Sequence, residues 1–429
     1  MTNNLPKNWC KCNLKEIFST ASGGTPSRKE ASYYNGQIPW LKSGELNDNI
    51  VKKAEEFITK EGLDNSSAKI FPKGSILLAL YGATVGKIGK LDFEAATNQA
   101  ICCIYPSKFF NMNLLFYYLL FQKKFLISQG KGGAQPNISQ DIVKNLELFL
   151  PPLEEQERIV EKIEELFSDI DNGIKDLKIA QAQIKQYRQS VLKSAFEGKL
   201  YKTSEWKEVK LEDVCESIKK RQITNDENEI FQYIDISSIN NKTLQIEKAE
   251  WINGKIAPSR ARQIIKTGDV VFSTVRTYLM NIAYVSKAFN NQIASTGFCV
   301  IRGQKDKLNG KFIFYKSISN DFLYPLNKMQ YGAVYPAVRD KDVLSQYISL
   351  PSLPEQQQIV AEIEKRFAVA DEMEKAVNDS LLQAEKLKQS ILKQAFAGKL
   401  VPQNPNDEPA AVLLERIKTA KENSPKGKK

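Results

Sequence analysis

Histidine, the commonest general base and metal ligand, is absent from all 429 residues. Its absence removes Ser-His and Cys-His nucleophile pairs, His-ligated nucleases, HExxH zinc enzymes and histidine acid–base chemistry together. The six cysteines (Cys10, Cys12, Cys102, Cys103, Cys215, Cys299) contain no C-x2-C pair, and adjacent Cys102 and Cys103 would face opposite sides of a strand. Reduced thiols in a cytoplasmic protein are therefore expected, with no metal site and no disulfide framework. Gly82 to Lys87 (GATVGK) approaches a phosphate-cradling loop, but misses the G-x4-GK[ST] spacing by one residue, and Ile88 stands where a magnesium-holding hydroxyl belongs. Pro151 and Pro152 lack the preceding Asn or Asp of an amino-methyltransferase site, and no carboxylate cluster has nuclease-like spacing. No catalytic residue is expected in this chain.

Binding chemistry remains. Lys and Arg number 61 against 50 Asp and Glu, a net charge of +11. Residues 1–150 hold 18 basic and 12 acidic residues, and residues 205–350 hold 21 and 16, so the excess lies in these two stretches. A surface that attracts a polyanion belongs there; a generally basic protein with no such partner is the competing reading. Arg and Lys neutralise phosphates, and Arg, Asn, Gln, Ser and Thr also read base edges. The candidate contacts in the first stretch are Arg28, Lys42, Ser43, Tyr81, Thr84, Lys87, Asn98, Gln99, Lys131 and Gln135. In the second they are Lys219, Lys220, Arg221, Ser237, Ser238, Arg260, Arg262, Arg276, Thr277, Tyr278, Ser295, Thr296, Tyr331, Tyr335 and Arg339. For any one of them, an ordinary structural role is an equal alternative. Few aromatics sit in basic runs, which disfavours single-stranded RNA stacking.

The elements that position these residues come as a duplication. Leu150 to Leu200 (LPPLEEQERIVEKIEELF…KSAFEGKL) matches Leu350 to Leu400 (LPSLPEQQQIVAEIEKRF…KQAFAGKL) at 22 of 51 positions without a gap. Upstream, the segment from Pro72 (PKGSILLALYGAT) aligns with that from Lys266 (KTGDVVFSTVRTY), and Trp9 to Leu14 resembles Trp206 to Leu211. The layout is two globular parts, 1–150 and 201–350, two helical parts, 151–200 and 351–400, and a tail, 401–429. A short amphipathic helix is expected near Ala410 to Lys421. Strands are expected at Ser75–Leu80, Ala100–Tyr105 and Leu146–Leu150, and helices at Asn113–Gln122 and Gln140–Asn145. Phe231–Ile236, Asp269–Thr274, Gly297–Arg302 and Lys311–Ser319 are the counterparts in the second part.

In the helical parts Ile163, Ile170, Leu177, Ile184 and Val191 recur every seven residues, with Phe167 and Ile174 between them. The second copy places Ile363, Ala370, Val377, Ala384 and Ile391 there, with Phe367 and Leu381. Four sustained heptads predict a coiled coil. Antiparallel pairing of the two copies sets large Ile170 and Ile184 against small Ala384 and Ala370. Helices that dimerise between chains are the alternative. The fold class is α+β: two similar mixed α/β parts, each followed by a long helix, the helices paired as an antiparallel coiled coil. No secretory signal is seen at the N-terminus, and the apolar run Leu114 to Phe121 is too short for the ~20 residues of a membrane helix, so no membrane is expected.

These paired blocks, each closing a variable part, resemble the specificity subunits of type I restriction-modification systems, and the similarity extends to the ending NPNDEPAAVLLERIK. The resemblance implies two target recognition domains, each reading one half of a split, asymmetric site on double-stranded DNA. It also implies helical parts that set the spacer and dock two methyltransferase subunits, with restriction subunits completing the complex. S-adenosylmethionine, ATP and Mg are then expected on those partners, with none in this chain. A coiled-coil scaffold without sequence-specific DNA binding is the alternative function.

Overall fold

The computed structural model describes residues 5–130, 136–222, 226–332 and 336–423. Contacts group them into two units: residues up to Asp176 together with those from Ser380 onward, and Leu177–Asp379. The grouping cuts through both long helices, Leu153–Phe196 and Leu353–Ala395, because each unit takes the beginning of one and the end of the other.

In unit 1 the apolar run Ile76–Ala79 is the centre of a five-stranded sheet, ordered Thr20–Ser22, Ile101–Ile104, Ile76–Ala79, Ile88–Leu91, Asn49–Val51. All four residues of Ile76–Ala79 and of Ile101–Ile104 are buried, as continuous apolar strands covered on both faces must be. Cys102 and Cys103 accordingly join different core clusters, and burial pushes the Cys102 thiol up to about 12. A second sheet is ordered Glu56–Ile58, Tyr34–Leu41, Ala95–Thr97, Ile70–Phe71. Cys10–Asn13 pairs with Glu147–Leu150, which returns the chain to the start of the first long helix.

Unit 2 repeats the plan. Val270–Ser273 lies between Ile282–Tyr284 and Phe298–Ile301. The second sheet is ordered Glu250–Asn253, Ile230–Ile234, Ile293–Ser295, Ala261–Ile264. Lys207–Lys210 with Tyr347–Leu350 repeats the strand pair that leads into the helix. Parallel pairing recurs too, Trp40 with Ala96 in unit 1 and Tyr233 with Ile293 in unit 2. One difference in residue type stands out. The turn after the central strand has left-handed residues at both ends: Gly82 (φ 85°) and Gly86 (φ 77°) in unit 1, Arg276 (φ 49°) and Met280 (φ 55°) in unit 2. A side chain in that conformation costs about 1–2 kcal/mol.

The long helices pair antiparallel. In unit 1, Ile159, Val160 and Ile163 share a core with Ile391, Leu392, Ala395 and Phe396. Phe396 packs edge-on to Tyr118, with ring centroids 4.8 Å apart, and stacks on Phe121. Unit 2 mirrors this: Ile359, Val360 and Ile363 meet Val191, Leu192, Ala195 and Phe196, and Phe196 packs edge-on to Phe312 at 5.3 Å. A cation closes each pairing. Lys388 lies 4.9 Å from the Phe167 ring and pairs with Asp171. Arg188 lies 5.1 Å from the Phe367 ring and pairs with Asp371 at 2.6 Å and Glu374 at 3.1 Å. Of the seam positions, Ile163, Ile184, Val191, Ile363, Ala370 and Ile391 are buried; Phe167, Ile170, Ile174, Leu177, Phe367, Val377, Leu381 and Ala384 are half-buried. The helices thus pair within the chain. Ala410–Glu422 forms the expected tail helix and seats Leu413, Leu414 and Ile417 in the unit 1 core. Among the described residues no helix is long and apolar enough to cross a membrane.

Each long helix starts on a buried Glu-Gln pair. Gln156 accepts from the Asn111 N–H (2.8 Å) and donates to the Pro151 carbonyl (3.0 Å). Gln356 accepts from the Asn309 N–H (2.8 Å) and donates to the Pro351 and Lys307 carbonyls. Their Glu neighbours differ. Burial pushes the Glu155 carboxyl up, and its bond from Gln403 (2.6 Å) does not undo this. Burial acts likewise on Glu355, but donors from the Thr203 N–H, Ser204 and Trp206 outweigh it and hold its carboxyl below the usual range. Gln156→Ala and Gln356→Ala are each expected to cost about 1–3 kcal/mol, the penalty for an unsatisfied buried group, measurable by denaturant melts. A lowered carboxyl stabilises above its unfolded-state pKa and loses that contribution as pH falls through the folded value; a raised one loses its contribution as pH rises. Glu355→Gln is therefore expected to lower Tm at neutral pH more than Glu155→Gln, the gap closing at acid pH.

Candidate nucleic-acid interface

Several of the sequence-derived candidates lie, within each unit, at the sheet end where the parallel strands finish. In unit 1, Tyr34–Leu41 runs directly into Lys42 and Ser43, and the Asn98 N–H donates to the Leu41 carbonyl at 2.9 Å. The Leu80 N–H donates to Ala100 O and the Ile138 N–H to Leu80 O, both at 2.8 Å. Tyr81, Asn98 and Gln99 are thereby brought to one edge with Lys42. Gln99 also accepts from Thr25.

The cations here are held in place by carboxylates. Arg28 lies 4.4 Å from the Tyr34 ring centroid and 5.0 Å from that of Trp40, and pairs with Glu56 at 2.8 Å. Lys42 pairs with the other Glu56 oxygen at 2.7 Å. The Lys42 hydrogen bond, then Arg28, hold the Glu56 carboxyl below its ordinary pKa, and the same bond raises that of Lys42. Asp48 repeats the device, taking Lys123 at 2.7 Å and Lys87 at 3.3 Å while its other oxygen accepts from the Ile88 N–H.

In unit 2 the same edge is assembled by four long-range bonds. The Thr274 N–H donates to Gly297 O, Thr296 N–H to Arg260 O, Val338 N–H to Thr274 O and Arg276 N–H to Pro336 O. The Arg221 N–H donates to Arg262 O, so Lys219, Lys220 and Arg221 run beside Arg260 and Arg262. Arg260, Arg262, Lys219 and Lys220 are exposed. Arg221 lies 4.7 Å from the Phe231 ring and pairs with Glu229. Arg339 lies 5.2 Å from the exposed Tyr331 ring; its bond to Asp342 raises its own pKa and lowers that of the carboxyl.

Several candidate hydroxyls are committed to turns. Ser238 bonds Asp235 through both its N–H and its Oγ, Ser295 accepts from the Gly297 N–H, and buried Thr277 donates to Asn327. Ser237 is exposed and donates to Asp235; Thr84 and Thr296 are half-buried; Tyr278 is exposed. Lys131, Gln135 and Tyr335 lie outside the described residues. Sequence reading missed Asp48, Glu56, Tyr34 and Leu279. No spacing pattern marks the first three, whose partners lie up to 75 residues away; Leu279 was findable as the apolar neighbour of Tyr278. Among the described residues no group of three or more Cys, Asp or Glu could hold a metal ion.

The duplicated α/β frame, with cations, amides and aromatics near a sheet end in each copy, matches one protein family. The model for the type I restriction modification DNA specificity domain matches residues 6–178 and 203–383, and the chain belongs to that family. It is 25% identical to the type I restriction enzyme EcoDI specificity subunit of Escherichia coli, over 96% of this chain and 95% of that one. It is 26% identical to the MjaVIII specificity subunit of Methanocaldococcus jannaschii, over 94% and 95%. In structure it resembles a chain solved in work on assembly and conformational transition of the type I R-M system (TM-score 0.70, 20% identity, 93% of this chain and 100% of that one). It also resembles the HsdS subunit from Thermoanaerobacter tengcongensis (TM-score 0.51, 20% identity, 92% and 98%).

If the unit 1 edge meets phosphates, Glu56 competes with them for Arg28 and Lys42. Glu56→Gln is then expected to steepen the salt dependence of binding to an arbitrary duplex by a log–log slope of ~0.9, read by fluorescence anisotropy. An unchanged slope would place both cations in purely internal roles.

Proposed function

We propose that this chain is the non-catalytic DNA-reading subunit of a cytoplasmic type I restriction-modification complex. Each globular part reads one half of a bipartite, asymmetric duplex site. Two methyltransferase subunits dock on the chain and bring S-adenosylmethionine to methylate adenine N6. Restriction subunits add ATP- and Mg-dependent cleavage. The observation that carries this reading is one frame built twice with different tips at the equivalent edge: Tyr81 to Gly86 in one copy, Val275 to Met280 in the other. Two unlike recognition surfaces on one scaffold are what an asymmetric split site requires, since base edges are read by the side chains that a fixed frame presents.

Division of labour supports it as well. A chain whose Pro151 and Pro152 lack a preceding Asn or Asp leaves the methyl transfer to a partner, and the partner takes its sequence preference from this chain. The segments of Leu153–Phe196 and Leu353–Ala395 that pass from one unit to the other then carry the spacer length.

Co-expression with the methyltransferase subunit and mapping of methylated adenines tests this directly. Two short unlike half-motifs at a fixed spacing are expected; methylation without any bipartite motif would leave the coiled-coil scaffold reading in its place. Inserting one heptad at matching levels of both long helices adds ~10 Å at 1.5 Å per residue. The mapped spacer is expected to lengthen by about three base pairs at ~3.4 Å each, with both half-motifs unchanged.

A further inference from the structure

The turn after the central strand is the same in both units. In unit 1 the Val85 N–H donates to Gly82 O at 3.2 Å and the Ala79 N–H to Lys87 O at 2.9 Å. In unit 2 the Leu279 N–H donates to Arg276 O at 2.8 Å and the Ser273 N–H to Asn281 O at 3.0 Å. Glycine occupies both left-handed positions of the first copy, so this backbone is built without side-chain strain when the sequence allows it. The second copy keeps Arg276 and Met280 there. Met280 packs against the unit 2 core, which accounts for it. Arg276 is a cation held in a conformation that favours glycine, and backbone strain of this kind clusters at functional sites.

The tip is also braced. Thr277 donates to Asn327 at 2.6 Å, Gln330 donates to Thr277, Asn241 donates to the Leu279 carbonyl at 3.0 Å, and the Arg276 N–H donates to Pro336 O. Four contacts from three other segments fix a tip on which Tyr278 and Leu279 stay 53% and 39% exposed. Tyr331, 55% exposed, pairs through a bridge with Ala337, next to Pro336, and lies under Arg339. A braced, exposed tip loses little freedom on binding.

We propose that the tip Arg276–Leu279 is the base-reading element of unit 2, and that Arg276 reads a guanine edge in the major groove. An arginine fork set rigidly at a groove matches guanine O6 and N7 bidentately, the commonest specific contact to a base. Tyr278 and Leu279 pack beside it. The assignment rests on the DNA-reading function proposed above and names the residue that makes one half-site specific.

The test maps methylated adenines with the full complex carrying wild-type chain, Arg276→Gly or Arg276→Lys. Glycine relieves the turn, so its Tm is expected to hold or to rise by ~2–4 °C. Both variants are expected to lose preference at one G·C position of a single half-motif, by about 5- to 150-fold, with the other half-motif intact. Lysine keeps the charge without the fork; if it preserves the motif, the contact is to phosphate and the assignment fails. It fails equally if Arg276→Gly leaves both half-motifs unaltered, or lowers Tm and weakens both alike. A wild-type complex that methylates no bipartite motif would overturn the function itself, and this inference with it.

Discussion

Two helices of 44 and 43 residues, each with an apolar seam, cannot remain apart in water. Every large aliphatic side chain buried along such a seam contributes about 1.5–3 kcal/mol, although this is an upper estimate because the unfolded chain already hides some of that surface. The chain meets the constraint internally. The first turns of one helix cover the last turns of the other, and the globular strands close around the joint. Phe196 and Phe396, at the helix ends, are inserted among the aromatic side chains of the domain they reach. A unit is therefore a stretch of globular chain with two helix halves of different origin, and neither copy completes its own core.

Duplication under that constraint explains why the two joints share some details and differ in others. The Gln156 and Gln356 brackets are alike because both satisfy backbone groups that every copy must bury. Glu155 and Glu355 sit at equivalent places but meet different chain. Glu355 receives Thr203, Ser204 and Trp206 from the connection that leads into the second globular part. Glu155 receives Gln403 from the tail, and Asp407 of the same tail pairs with Arg158. Burial dominates at Glu155, whereas donors outweigh burial at Glu355, so the carboxyls are displaced in opposite directions. The tail then continues as a helix against unit 1, its Ala410 N–H bonded to the Asn8 carbonyl.

Much of this was legible in sequence wherever the signal is local and periodic. Heptads are read from a single helix, and the structure places Ile163, Ile184 and Ala370 in buried positions as the pattern requires. The fully apolar Ile76–Ala79 and Ile101–Ile104 strands fell inside the expected stretches, as did Val270–Ser273 and Phe298–Ile301. The first helix was read too short, ending at Gln122 where the structure continues to Gln129, because its second half turns apolar residues to more than one side. The parallel pairing of Trp40 with Ala96 was not legible, nor was the sharing of Glu56 by Arg28 and Lys42. Those contacts join residues that only the finished topology brings together. The left-handed conformation of Arg276 was also hidden, because nothing in the residue type announces it; only alignment with Gly82 makes it visible.

The same topology resolves an apparent conflict in the charge distribution. A surface meant for a polyanion should leave its cations available, yet Arg28, Lys42, Lys87 and Lys123 all contact carboxylates. Geometry eases the conflict. Glu56 and Asp48 each serve two cations and hold their side chains in place, with Glu45 and Glu55 also close to Lys42. These ion pairs are partly buried and contribute modestly to stability. What they supply is geometry: long, rotamer-rich side chains that are already ordered lose less freedom when an anion arrives. Cations fixed by shared carboxylates would thus be more selective about where an anion sits than free lysines, because such charges cannot follow the ligand.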